Sequence, residues 1–156
     1  MKYIAYGSNM SVEQMAFRCP GAKIVGTGVI EGWQLLFRGR PYSAVATVEK
    51  GRKNEKVPVL VWEINKSHEE ALDVYEGFPT LYTKVNIPVQ LDNGEYIDSA
   101  MAYVIDPTLD FGAPSTYYFS VIRNAYIEFG FDMGALKKAV EKSVKNSEWR
   151  RKDGQR

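Results

Sequence analysis

Tyr3-Ile4-Ala5-Tyr6-Gly7-Ser8-Asn9-Met10 is the stretch on which the reading of this chain turns. Its first half, Tyr3 to Tyr6, is a short and largely apolar strand. Its second half is a turn carrying a glycine, a hydroxyl and an amide side chain. Ser11-Val12-Glu13-Gln14 follows at once and fits the S-x-x-Q form of the capping box, so a helix is expected over Val12 to about Arg18. Strand, glycine turn and helix start in succession leave several backbone N–H groups without a helical partner. Such a corner suits a carboxylate or a developing oxyanion. The plainer local reading is a tight strand-to-helix turn in which Gly7 supplies an unusual φ.

Outward from this corner, Cys19-Pro20-Gly21 stops the first helix. Ala22 to Phe37 reads as a long or bent strand pair, with Gly26, Gly28 and Gly32 marking bulges or turns. Ser43 to Val48 has strand composition, and the charged run Glu49 to Lys56 is expected to be a solvent loop. Val57 to Ile64 is a continuous apolar run, as in a strand covered on both faces. Ser67-His68-Glu69-Glu70 offers a second capping box, opening a short helix that Gly77 ends near Glu76. Tyr82 to Leu91 and Tyr96 to Ile105 flank Asn93-Gly94, a strong hairpin signal. Ser115 is placed to cap a helix reaching about Phe129, and Asp132 to cap the last one. About six strands and four helices in mixed order, joined by hairpins, predict an α+β fold whose mostly antiparallel sheet can close on itself.

A chain of 156 residues, 45% hydrophobic and 25% charged, fits one domain, read here as residues 1–145. No apolar run approaches the roughly 20 residues that span a bilayer. The N-terminus lacks the charged and apolar regions of a secretory signal. With Cys19 the sole cysteine, no internal disulfide can form, which suits a reducing, cytoplasmic setting. The net charge of +1 is uneven: eight of the 20 Lys/Arg but only three of the 19 Asp/Glu fall from Lys137 onward. Residues 146–156 are read as a basic, flexible tail. No recognition motif accompanies that charge, so nucleic acid is not an expected partner, and neither is a membrane.

The usual catalytic groups are scarce. His68 is the single histidine and is expected to be solvated in the first turn of its helix. With one histidine and one cysteine no His/Cys metal cluster can be built. There is no P-loop and no G-x-G-x-x-G after a strand. One carboxylate is oddly placed, because Glu76 falls in the last turn of its helix, where the macrodipole disfavours negative charge. Its sequence neighbours Tyr75, Gly77, Phe78 and Pro79 would desolvate it. Both effects raise proton affinity, as a general acid/base requires. A solvent-exposed glutamate at a frayed helix end is the alternative.

Tyr6-Gly7-Ser8-Asn9 after the first strand, and Leu72-Asp73-Val74-Tyr75-Glu76-Gly77-Phe78-Pro79-Thr80-Leu81-Tyr82 in mid-chain, together resemble the γ-glutamylcyclotransferase family, including its AIG2-like and γ-glutamylamine cyclotransferase branches. Pro114-Ser115-x-x-Tyr118 is similar to the family's late substrate-contacting tyrosine, and Arg18-Cys19-Pro20-Gly21-Ala22 and Ala46-Thr47 also look like the family. The likeness runs in order from about Tyr3 to Arg123. It implies a small mixed, mostly antiparallel β-barrel with helices around it and a pocket between the first loop and the glutamate. It implies a cofactor-free and metal-free reaction in which the α-amine of a small γ-glutamyl compound attacks its own γ-carbonyl, giving 5-oxoproline and a free amine. Under that resemblance Glu76 is the general acid/base, and Tyr3, Ile4, Ala5, Tyr6, Gly7, Ser8 and Asn9, with Tyr82 and Tyr118, form the substrate site. Two other functions compete: a module that holds a small carboxylate ligand in the same pocket without turnover, and an interaction protein using the basic C-terminal helix.

Overall fold

The computed structural model describes residues 1–154, with side chains as far as Ser147. In chain order the elements are β1 (Lys2–Ala5), a 3-10 turn (Ser8–Met10), α1 (Val12–Arg18), β2 (Lys23–Glu31), β3 (Trp33–Arg38), β4 (Val45–Lys50), β5 (Lys56–Glu63), α2 (Lys66–Glu76), β6 (Tyr82–Leu91), β7 (Tyr96–Ile105), α3 (Thr116–Glu128) and α4 (Gly134–Gly154). Five strands close into a barrel in the order β1-β5-β2-β6-β7. All neighbours are antiparallel except β1 and β7, whose parallel pairing at Tyr3 and Met101 seals the ring. The expected α+β, mostly antiparallel barrel with surrounding helices is therefore the observed fold.

β5 lies between β1 and β2 and buries Val57, Val59, Leu60, Val61 and Trp62, so its apolar run covers both faces. Truncating a side chain such as Leu60, fully buried, to alanine costs about 2–5 kcal/mol in sites of this kind. Where β2 crosses to β6 the backbones nearly touch. A Cβ on Gly28 would sit 2.5 Å from the carbonyl oxygen of Gln90, so this glycine marks a close approach, while the bulge lies between Ile24 and Gly26.

The 22–37 stretch corrects one expectation. β2 and β3 are not partners: β2 pairs with β5 and β6, while β3 pairs with β4 in a separate two-stranded sheet. Leu35, Leu36 and Phe37 are buried in succession, so both faces of β3 are covered, and β3 packs against α4 and β5. Ser143 of α4, fully buried, accepts the Phe37 N–H at 2.9 Å. The solvent loop expected over Glu49 to Lys56 is shorter than its charge suggests. β4 continues through Lys50 in register with β3, where Glu49 accepts from Nε and one terminal nitrogen of buried Arg38, at 2.5 and 3.1 Å. Among the described residues the strands number seven, against about six expected.

α2 also starts earlier than Ser67. Asn65 is its cap: the Asn65 side chain accepts the His68 N–H at 2.9 Å, and His68 Nδ1 accepts the Asn65 N–H at 3.1 Å. This is a capping box made with an imidazole in place of a glutamate. His68 is consequently buried, against the expectation of a solvated ring. With Nδ1 an acceptor, Nε2 carries the proton and donates it to the Pro20 carbonyl at 2.6 Å, tying α2 to the end of α1. α4 passes residue 145 as continuous helix. The basic tail expected over 146–156 lies from 148 onward beyond the described side chains, and residues 155 and 156 lie outside the described residues.

Candidate active site

β1 carries Tyr3, and Tyr6 follows directly on its end, where the chain passes through Gly7 into the 3-10 turn. Within the turn Met10 N–H bonds the Gly7 carbonyl at 3.1 Å and Ser11 N–H bonds the Ser8 carbonyl at 3.0 Å. The N–H groups of Gly7, Ser8 and Asn9 therefore stand ahead of the first turn bond. The turn is held from below by Met10, fully buried, and by Trp62, whose Nε1 donates to the Asn9 carbonyl at 3.0 Å. Gly7 has φ −120°, so its role is one of space. A Cβ there would lie 3.3 Å from the Tyr118 hydroxyl and 3.4 Å from the Ala46 Cβ.

Across from this turn, α2 ends at Gly77 and presents Glu76. A cavity of about 240 Å³ separates the two. Tyr3, Ile4, Tyr6, Gly7, Ser8 and Asn9 line part of it, and Glu76, Tyr82 and Tyr118 line it as well, beside Val45 and Ala46 of β4. Of the residues singled out from the sequence only Ala5 does not reach the cavity; it is buried in the core. The bundle of candidate residues thus converges from β1, α2, β6 and α3 on one volume. A larger cavity of about 530 Å³ lies by α4 and β3, where Lys56, Lys138 and Lys142 alternate with Glu55, Asp92 and Asp132; it contains none of those candidates.

Asn9 connects the two sides. Its Nδ2 donates to the Tyr3 hydroxyl at 2.8 Å and reaches Glu76 Oε1 at 3.4 Å, while its Oδ1 accepts from the Arg18 guanidinium. Burial pushes the Glu76 carboxyl up to about 7, with Arg18 opposing that rise. Glu76 is thus poised to exchange a proton at neutral pH. The hydroxyls of Tyr3, Tyr6, Tyr82 and Tyr118 are all pushed above the ordinary phenol range by burial and stay neutral. Tyr118 Oη accepts the Ala46 N–H at 3.0 Å, and Tyr6 Oη donates to the Tyr103 carbonyl at 2.5 Å.

Sequence reasoning missed Tyr103, Tyr75 and Leu81, which also line the cavity, and Arg18, which sits behind it. Tyr103 donates to Asp73 Oδ1 at 2.5 Å, and Lys84 holds Asp73 and Glu69 together. Asp73 precedes Glu76 by three residues on the same helix face, a spacing that was available to find the network. Cys19 is buried, its thiol pushed up by burial and its sulfur facing the His68 carbonyl at 3.7 Å, an arrangement that makes a poor nucleophile. Among the described residues no group of three or more His, Cys, Asp or Glu is placed to hold a metal ion. Nor is any described helix long and apolar enough to cross a membrane.

Comparison with known proteins supplies the context. The sequence profile of the family described as gamma-glutamyl cyclotransferase, AIG2-like, matches residues 3–118. Gammaglutamylcyclotransferase of Bos taurus is 30% identical over 104 residues, covering 61% of this chain and 54% of that protein. The Homo sapiens protein of the same name is 27% identical over 128 residues, covering 77% of this chain and 66% of its own length. The chain thus spans between about half and two thirds of these relatives. A solved gamma-glutamyl cyclotransferase superposes with a TM-score of 0.78 at 25% identity, covering 88% of this chain and 85% of that one. YkqA from Bacillus subtilis shares the fold, with a TM-score of 0.74 at 19% identity over 88% of this chain and 52% of its own. The profile match spans every candidate residue from Tyr3 to Tyr118, and the barrel they sit on is shared with these structures: the chain belongs to the gamma-glutamyl cyclotransferase, AIG2-like family.

Proposed function

We propose that this chain is a cofactor-independent γ-glutamyl cyclotransferase, converting a small γ-glutamyl amino acid or γ-glutamylamine to 5-oxoproline and the free amine. The observation that carries the reading is Glu76: the sole charged residue among the described lining residues, desolvated, and facing the Gly7-Ser8-Asn9 turn across the cavity. A reaction whose nucleophile belongs to the substrate needs no protein nucleophile. It needs a folded-back conformer, a proton shuttle and donors for the oxyanion.

In this mechanism the α-ammonium of the γ-glutamyl group gives a proton to the Glu76 carboxylate. The freed nitrogen lone pair forms a bond to the γ-carbon, and the carbonyl electrons become an oxyanion facing the N–H groups of Gly7, Ser8 and Asn9. Collapse of the tetrahedral intermediate breaks the original C–N bond as Glu76 returns its proton to the departing nitrogen, and the second proton shed by the ring nitrogen on becoming the lactam N–H passes to the freed amine or to solvent. A carboxyl with a pKa of about 7 is suited to both halves of that cycle. Tyr6 and Tyr118 hold the glutamyl part by their hydroxyls, with Tyr3 and Tyr82 as wall.

The test is 5-oxoproline release from a panel of γ-glutamyl amino acids and γ-glutamylamines, with Glu76→Gln alongside. Release by the wild type and not by the variant supports the reading, and the best substrate names the leaving group. Saturable binding without release from any panel member would replace it with a binding role for the same cavity.

A further inference from the structure

Arg18 does not line the cavity, yet two contacts hold its guanidinium directly behind it. Its carbon lies 3.5 Å from the centre of the Tyr75 ring, and one of its arms donates to Asn9 Oδ1. A guanidinium has donors only. Whatever faces it must be an acceptor, so the Asn9 amide is forced to turn its oxygen toward Arg18 and its nitrogen toward Tyr3 and Glu76.

We propose that Arg18 is a positioning residue for the cyclisation, acting through Asn9: it fixes the amide so that a Glu76 oxygen is met by an N–H and not by a second acceptor, which favours the carboxylate that takes the substrate's proton. The inference rests on the reading of Glu76 as the acid/base. Without Arg18 the amide is released to turn over and place its oxygen against Glu76, where two acceptors repel unless the carboxyl is protonated. The ionisable and amide groups that share the cavity with Glu76 are Tyr3, Tyr6 and Asn9 from β1 and the turn after it, Tyr75 on α2, Tyr82 on β6, Tyr103 on β7 and Tyr118 on α3, with Arg18 behind them at the end of α1. Arg18 is the one of these that is cationic, and its charge opposes the effect of burial on Glu76. Removing it thus acts twice in the same direction.

The experiment uses Arg18→Met, Arg18→Lys, Asn9→Ala and the double variant Arg18→Met/Asn9→Ala. Glu76 is followed by carboxyl 13C NMR titration, and turnover is measured on the best substrate of the panel. Arg18→Met is expected to lower kcat by about 10- to 100-fold with little change in KM. The Glu76 titration should move up by about one pH unit. Arg18→Lys, which keeps the charge and a donor, should restore the titration and part of kcat; it also serves if the methionine variant does not fold. The double variant should lose clearly less than the sum of the two single losses, because the part of Arg18's effect that passes through Asn9 is already gone. Additive losses, or a folded Arg18→Met with unchanged titration and kcat, would overturn the proposal. So would a loss confined to KM, which would mean that Arg18 touches substrate. Absence of wild-type 5-oxoproline would defeat the cyclotransferase reading alone, since the NMR titration still decides whether Arg18 governs Glu76.

Discussion

The amide nitrogen of Asn9 stands 3.4 Å from a carboxylate oxygen of Glu76, although 67 residues separate them in the chain. Neither residue is placed by the other. Asn9 is set by Arg18, Tyr3 and Trp62, and Glu76 by the end of a helix whose start is tied down at Asn65 and His68. The contact is where two independently fixed elements meet, and most of the expected chemistry depends on it.

Replacing Glu76 by glutamine keeps the shape and removes the proton. Turnover is expected to fall by about 10²- to 10⁴-fold. Circular dichroism should be unaltered and the Tm should not fall, because glutamine keeps the shape of the neutral carboxyl that burial favours. Initial rates of 5-oxoproline formation across substrate concentrations check this. A variant within threefold of wild-type kcat would remove Glu76 from the mechanism.

The same group sets a pH dependence of opposite sign for activity and for stability. For activity, kcat/KM should rise with pH along a limb centred near 7, as the carboxylate needed to accept the proton forms. For stability, the folded carboxyl holds its proton more tightly than the unfolded one, so between about pH 4.5 and 7 the native state binds more protons and stability falls as pH rises. Allowing for the partial exposure of Glu76, the expected loss is about 2 kcal/mol. Urea unfolding of wild type and Glu76→Gln at pH 5 and pH 8 isolates the term. The difference between the two proteins should grow in favour of the glutamine variant at the higher pH.

How much of this was legible in the sequence follows from how local each cause is. The β6–β7 hairpin was readable because Asn93 and Gly94 settle it within a few residues, down to the Glu95 N–H on Asn93 Oδ1 at 2.9 Å. The cap of α3 by Ser115 was readable for the same reason, its side chain accepting the Tyr118 N–H at 3.1 Å. β3 was misjoined because nothing within 22–37 says that its partner is β4 or that α4 will cover its second face. Most of the site was reached through the family likeness, and Glu76 also through its place at a helix end. Tyr103 and Arg18 stayed hidden, since what makes them matter is a neighbour distant in sequence or a contact made by the folded site: Asp73 and the Tyr6 hydroxyl for one, the Asn9 amide for the other.

Tyr118→Phe probes the wall of the cavity. The hydroxyl accepts the Ala46 N–H at 3.0 Å, so its loss leaves a backbone donor of β4 without that partner. A cost of about 1–3 kcal/mol in stability is expected. KM should rise several-fold with a smaller change in kcat, as befits a group that holds the glutamyl part. Denaturant unfolding and steady-state kinetics on one preparation check both. A KM unchanged while stability falls would reduce Tyr118 to a strut.

The start of α2 gives a test that separates two neighbouring residues. Asn65 caps the helix in the structure, whereas Ser67 has the sequence signature of a cap and lies inside the helix, exposed. Asn65→Ala should therefore cost about 1–2 kcal/mol, and Ser67→Ala should stay within about 0.5 kcal/mol. His68→Ala should resemble Asn65→Ala or exceed it, because it removes the return bond of the box and the link to the Pro20 carbonyl at once. Both cap variants should leave kcat within a few-fold at temperatures well below their Tm, since Glu76 sits at the far end of the helix, where Gly77 and the Asp73 carbonyl fix its last turn. Thermal and urea unfolding of the three variants decide the matter. Equal losses for Ser67→Ala and Asn65→Ala would mean that the helix begins where its sequence signature suggested.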